Sequence, residues 1–205
     1  MKKFKYLTLL SIAVISLFMV GCDATNKTLN DLDQAIGKIE AVTVQSDYQE
    51  VIDLENTDVK SEYMSFIEMD LDPLQEFAEL RTSFLENHLL LQEQRMTFQS
   101  NKEELRTLIK LFRDSQLQLT DEDKVLILEK IELFKGYRQE FLDTKGLAYL
   151  RIYNLKGQYK IEDIDIINQT IGEVNEVLLL RIELFEKTNQ DIMEVIAILE
   201  EYTEI

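Results

Sequence analysis

Residues 73–114 read PLQEFAELRTSFLENHLLLQEQRMTFQSNKEELRTLIKLFRD, and the spacing within this stretch decides the fold. Phe77, Phe84, Leu91, Phe98, Leu105 and Phe112 recur every seven residues. A sustained period of seven keeps one apolar stripe on a helix and predicts left-handed supercoiling with knobs-into-holes packing. The stretch has a clear start, because Asp72 is a good N-cap and Pro73 is tolerated at the first helical position. The same period continues in Ile127, Phe134, Phe141, Ala148 and Leu155, then in Ile164, Ile171, Leu178, Phe185, Ile192 and Leu199.

Working outward, the chain divides into four arms. Apolar residues at helical spacing (Leu29, Leu32, Ile36, Ile39) begin the first, over 28–68. The run Val42-Thr43-Val44-Gln45-Ser46 interrupts its phase and predicts a kink. The second arm covers 73–114, and Ser115 to Leu119 forms a polar-rich connector. Thr120 with Asp123 is a variant capping box opening the third arm, 120–156, which closes at Lys156-Gly157, where Gly suits a left-handed C-terminal position. The fourth covers 161–202. One Pro and six Gly in 205 residues leave room for long helices, and 45% apolar residues can fill a core. Each arm would be roughly 55–63 Å long at the rise of an α-helix. Near-equal arms on short connections predict an all-α, elongated, antiparallel up-and-down four-helix bundle with coiled-coil-like packing and a kinked first arm.

A leader precedes the bundle. Lys2, Lys3 and Lys5 precede the apolar run Tyr6–Val20, which ends on the small residue Gly21. Fifteen residues span about 22 Å as a helix, short of the ~30 Å hydrocarbon core, so a signal peptide is expected rather than a membrane anchor. Met19-Val20-Gly21-Cys22 resembles the lipobox of bacterial lipoproteins. That resemblance implies cleavage between Gly21 and Cys22 and a lipid thioether on Cys22. A lone Cys cannot form an internal disulfide. The division is then 1–21 signal peptide, 22–27 lipid-anchored tether and 28–205 bundle. Loss of Lys2, Lys3 and Lys5 leaves 19 basic against 39 acidic side chains, a net −20. Such a surface repels nucleic acid and anionic polymers.

The rows beside the apolar stripes carry charge. One reads Leu74, Arg81, His88, Arg95, Lys102, Ile109; others contain Arg138 and Arg181. Residues 48–69 place Glu55 and Glu62 in the seam instead. Folding the first arm back on the second about residue 71 pairs positions whose numbers sum to about 142, setting Glu62 near Arg81 and Glu55 near His88. Further folding brings Arg95, Arg138 and Arg181 to similar heights. These groups are expected to form seam ion pairs that fix register, with an anion site mid-bundle as the functional alternative.

No catalytic, cofactor or metal site is expected. Leu85 precedes the single His88 by three residues, so a Glu-x-x-His di-metal motif fails. One His and one lipidated Cys cannot build a zinc cluster. The acidic runs lack EF-hand spacing, and no Gly-rich phosphate loop is present.

Across nearly all of the mature chain, the sequence resembles the YkyA-type cell-wall-binding lipoproteins of Gram-positive bacteria. The lipobox carries the resemblance, with Val51-Ile52-Asp53-Leu54-Glu55-Asn56 leading to Tyr63 and Phe66, and Leu74 to Phe77. Lys160-Ile161-Glu162-Asp163-Ile164-Asp165 with Val174-Asn175 extends it. It departs at Lys160, where the family tends to a capping Thr, and in its greater acidity. The resemblance implies a non-enzymatic bundle anchored by lipid to the outer face of the cytoplasmic membrane, acting as a binding or spacer module of the envelope. Its partners would be the membrane, through the Cys22 lipid, and cell-wall components or envelope proteins. The alternative is an adaptor or chaperone-like partner of a membrane complex.

Overall fold

Each seven-residue row becomes a buried stripe. The computed structural model describes residues 24–43, 75–148 and 164–203. They form four helices: α1 over 24–43, α2 Gln75–Asp114, α3 Asp121–Asp143 and α4 Ile164–Glu200. Phe84, Leu91, Phe98, Leu105 and Phe112 of α2 are buried. So are Ile127, Phe134 and Phe141 of α3, and Ile171, Leu178, Phe185, Ile192 and Leu199 of α4. Leu29, Leu32, Ile36 and Ile39 of α1 join the same core, and Ala148 packs against it.

Side-chain contacts fix the direction of every helix. Thr25, Asn30, Asp33 and Glu40 meet Leu119, Arg113, Arg106 and Lys102 in that order, so α1 runs antiparallel to α2. Lys130 meets Asp191 and Phe141 meets Phe185, so α3 runs antiparallel to α4. Phe98 meets Phe185 and Phe112 meets Tyr202, so α2 and α4 run parallel. The result is an up-and-down four-helix bundle, and α2 alone, with 40 residues, is about 60 Å long.

The parallel pair α2–α4 is the spine. Asn175 Nδ2 donates to the Leu80 carbonyl at 3.2 Å, and Asn189 Nδ2 donates to the Gln94 carbonyl at 3.1 Å. Both bonds span 95 positions, so one register holds along two turns of the supercoiled pair. A buried Asn at a seam position costs stability but penalises slipped registers, where its amide would lose its partner.

Several expected boundaries move. The tether is shorter than 22–27: residues 24–27 are already helical, and Thr25 is 1% exposed. Thr25 Oγ1 accepts the Leu119 N–H at 3.3 Å, which draws the start of α1 onto the 115–120 connector. Val42 and Thr43 stay helical and buried, so the kink does not begin there. The third arm breaks earlier than Gly157. Helix α3 ends at Asp143, followed by a turn through Thr144 to Gly146, whose φ of 70° is the left-handed region that glycine tolerates. Thr144 seals that end, its hydroxyl donating to the carbonyls of Glu140 and Phe141 at 3.2 Å each.

The other turn matches its sequence signals. Helix α2 ends with Gln116 N–H on the Arg113 carbonyl and Leu117 N–H on the Phe112 carbonyl, a Schellman arrangement. Gln116 takes the left-handed position, φ 54°, where glycine is the usual occupant. Thr120 caps α3, its Oγ1 accepting the Asp123 N–H at 3.1 Å. The leader 1–21 and Cys22 lie outside the described residues. So do the segment bearing Glu55 and Glu62, the positions from Val44 to Ser46, Pro73, and Leu155 to Gly157. Among the described residues no helix is long and apolar enough to cross a membrane.

Candidate functional site

Three polar clusters lie along the bundle, and each is built between helices. The first links α1 to α2. Lys102, only 4% exposed, donates to Glu40 at 2.5 Å and to Gln99 at 2.6 Å. Arg106 bonds Asp33 at 3.1 Å and lies 3.6 Å from Glu40. Burial lowers the Arg106 pKa, but the bond and charge of Asp33, then Glu40, outweigh it and raise the value. The Glu40–Lys102 pair falls on the fold-back register that sets Glu62 against Arg81, so the seam-pair expectation holds where α1 is described.

The second cluster joins α3 to α4. Asp191 sits at its centre, its side chain 10% exposed. One carboxylate oxygen accepts from Lys130 Nζ at 2.6 Å and the other from the Tyr137 hydroxyl at 2.8 Å. Lys130 also pairs with Glu194. Burial works to lower the Lys130 pKa, yet its bonds to Asp191 and Glu194 raise it overall. Burial and the bond to Asp191 push Tyr137 up to about 12. The bond from Lys130 holds Glu194 below the usual carboxylate range. A lysine held protonated is a poor nucleophile, and a phenol held neutral is a poor base at neutral pH. The chemistry of this arrangement is that of a clamp.

The third cluster ties the C-terminus down. Tyr202 donates to Asp123 and accepts the Thr120 N–H at 3.0 Å, while its ring lies 5.5 Å from that of Phe112. Hydrogen bonds from Thr120, then Tyr202, lower the Asp123 pKa. These shifts set the pH range of the fold. Tyr137 is raised, so its contribution is complete below its ordinary pKa of 10.0 and is lost as pH climbs through about 12. Asp123 and Glu194 are lowered, so theirs is present above their ordinary 3.8 and 4.5 and is lost as pH falls through the lowered values. Denaturant titrations should therefore show stability falling on both limbs. Tyr137→Phe should flatten the alkaline limb and remove the last tyrosine to ionise by ultraviolet absorbance; an unchanged limb would contradict the clamp.

The seam bases predicted from the sequence are placed as follows. Arg81, His88, Arg95 and Arg138 are half-buried and Arg181 is 4% exposed. His88 stacks on Phe84 at 6.3 Å, with Gln92 Nε2 3.1 Å from its Nε2. The buried Nε atoms of Arg81 and Arg138 have no hydrogen-bond partner among the described residues. Phe98, Phe141 and Phe185 form one layer. Arg95 and Arg181 precede Phe98 and Phe185 on parallel helices, so they stand on the same side of that layer. Arg138 precedes Phe141 on the antiparallel helix and stands on the other side, about 10 Å away along the axis. The three arginines therefore do not share one height. No group of three or more potential metal-ligating side chains occurs among the described residues.

Sequence reasoning missed the Lys130–Tyr137–Asp191–Glu194 clamp and the Asn175 and Asn189 bonds. Folding the third arm on the fourth by the rule used for the first two arms would have set Lys130 against Asp191. Compared with protein-family models, with curated proteins and with solved structures, the chain matches none.

Proposed function

We propose that the protein is a non-enzymatic, lipid-anchored module of the bacterial cell envelope, with its bundle projecting from the outer face of the cytoplasmic membrane. The observation that carries this reading is the placement of the chain's start. Helix α1 begins two residues after Cys22, and Thr25 is bonded to the 115–120 connector, which Tyr202 also joins. A lipid on Cys22 would thus hold one end of the bundle against the headgroups, with almost no slack. The opposite end lies about 60 Å away, the length of α2.

The lipobox-like run and the YkyA-like segments support the envelope location. A net charge of −17 makes direct binding of anionic wall polymers unfavourable, so a spacer or protein-binding role suits this surface better than wall binding. Fractionation of cells expressing Cys22→Ala tests the anchor. The variant should leave the membrane fraction, accumulating as precursor or as shed protein. Normal processing with undiminished membrane retention would overturn the reading.

A further inference from the structure

Four large aliphatic side chains crowd the outward surface of α3 within nine residues. Val125 is 54% exposed, Leu126 42%, Leu128 45% and Leu133 44%. Single exposed aliphatics are ordinary on a protein surface, but clusters mark contact sites. Val125, Leu128, Glu132 and Gly136 follow one stripe at helical spacing. Carboxylates surround it: Glu122, Glu129, Glu132 and Glu140 are exposed. The exposed base on this helix is Lys135, and Glu132 already engages it at 2.6 Å.

Gly136 adds a separate observation. It is exposed, and a Cβ placed on it would meet nothing within 4 Å. Packing inside the bundle therefore gives no reason for a residue that weakens a helix interior. A bare backbone one turn beyond Leu133 does give a partner helix room for close approach.

We infer that the outward face of α3 is a docking surface for a basic amphipathic helix of a partner protein. The apolar stripe would take the partner's apolar face, and the flanking glutamates its lysines or arginines. A second copy of the chain is the wrong occupant, because two molecules of net charge −17 repel and the rim is acidic on both. An anionic bilayer is the wrong occupant for the same reason. The inference stands whether or not Cys22 carries lipid.

Calorimetric titration of the full chain in nonionic detergent tests it. The probe is an 18-residue peptide with leucines on one helical face and lysines on the other; a matched peptide carries glutamates in place of the lysines. The lysine peptide should bind and the glutamate peptide should not. Val125→Ser/Leu128→Ser/Leu133→Ser should weaken binding at least tenfold, and so should Gly136→Leu, which fills the bare backbone with a better helix former. Leu89→Ser/Met96→Ser, on the exposed face of α2, should leave binding unchanged. Three results would overturn the inference. They are no binding of the lysine peptide, binding by the triple and Gly136→Leu variants within twofold of wild type, or an equal loss from the α2 substitutions. If the triple variant instead lost partition into phosphatidylglycerol vesicles and kept peptide binding, the face contacts lipid and the inference fails.

Discussion

Phe185→Ala is expected to destabilise the bundle by about 3–5 kcal/mol, the usual cost of emptying a large aromatic site in a rigid core. Phe185 is 0% exposed and closes a layer, 5.8 Å from Phe98 and 4.8 Å from Phe141 between ring centroids. Those rings come from three helices, so α2, α3 and α4 all lose packing at once. The backbone there is held in register by Asn175 above and Asn189 below, which limits collapse into the void. For a chain of this size the melting temperature should drop by roughly 6–20 °C. Phe185→Leu, which keeps most of the volume, should recover the larger part. Chemical denaturation followed by circular dichroism measures both. A loss under about 1 kcal/mol for the alanine variant would mean that the layer is not close-packed.

Asp191→Leu is the second large effect, about 2–4 kcal/mol. The carboxylate serves Lys130 and Tyr137 together, and its loss leaves the phenol without its acceptor. Lys130 keeps Glu194, which is half-exposed, so the penalty stays below that of a fully orphaned buried charge. Replacing the set together, as Lys130→Met/Tyr137→Phe/Asp191→Leu, should return stability close to wild type, because no polar atom is then left stranded. The coupling between the single and the combined substitutions should exceed about 1 kcal/mol. Additive losses would show that the three side chains act independently.

The core was legible because its period is regular. Phe84 to Phe112, Ile127 to Phe141 and Ile171 to Leu199 follow rows of seven that require no tertiary knowledge, and the Thr120–Asp123 cap is a local signal. Boundaries were harder. Thr25 is polar and reads as tether, yet its hydroxyl is used by Leu119, a partner 94 positions away. Gly146 resembles any helical glycine until its φ is known, whereas Gly157 carries the more familiar Lys-Gly ending. The clamp was missed for a different reason. Lys130 and Asp191 sit beside the apolar rows, where charged residues are normally solvated, and only the antiparallel docking of α3 on α4 makes them partners. The closeness of α2 and α4 was likewise hidden. Up-and-down reasoning pairs neighbours in sequence, while Asn175 and Asn189 join two helices that run parallel.

The central claim is that the bundle stands on the membrane by the end containing Thr25, the 115–120 connector and Tyr202. Its direct test is the height of two labels above the bilayer. Cysteines introduced by Ser115→Cys or Lys145→Cys in the lipidated protein lie at exposed positions near opposite ends of α3, and Cys22, the one native cysteine, is then blocked by lipid. Energy transfer from each label to headgroup-bound acceptors in vesicles gives the distance. The account predicts that the label at position 115 lies near the headgroups and the label at 145 stands about 35 Å farther out, the length of α3. Equal heights, or a label at 145 closer to the bilayer than one at 115, would contradict it.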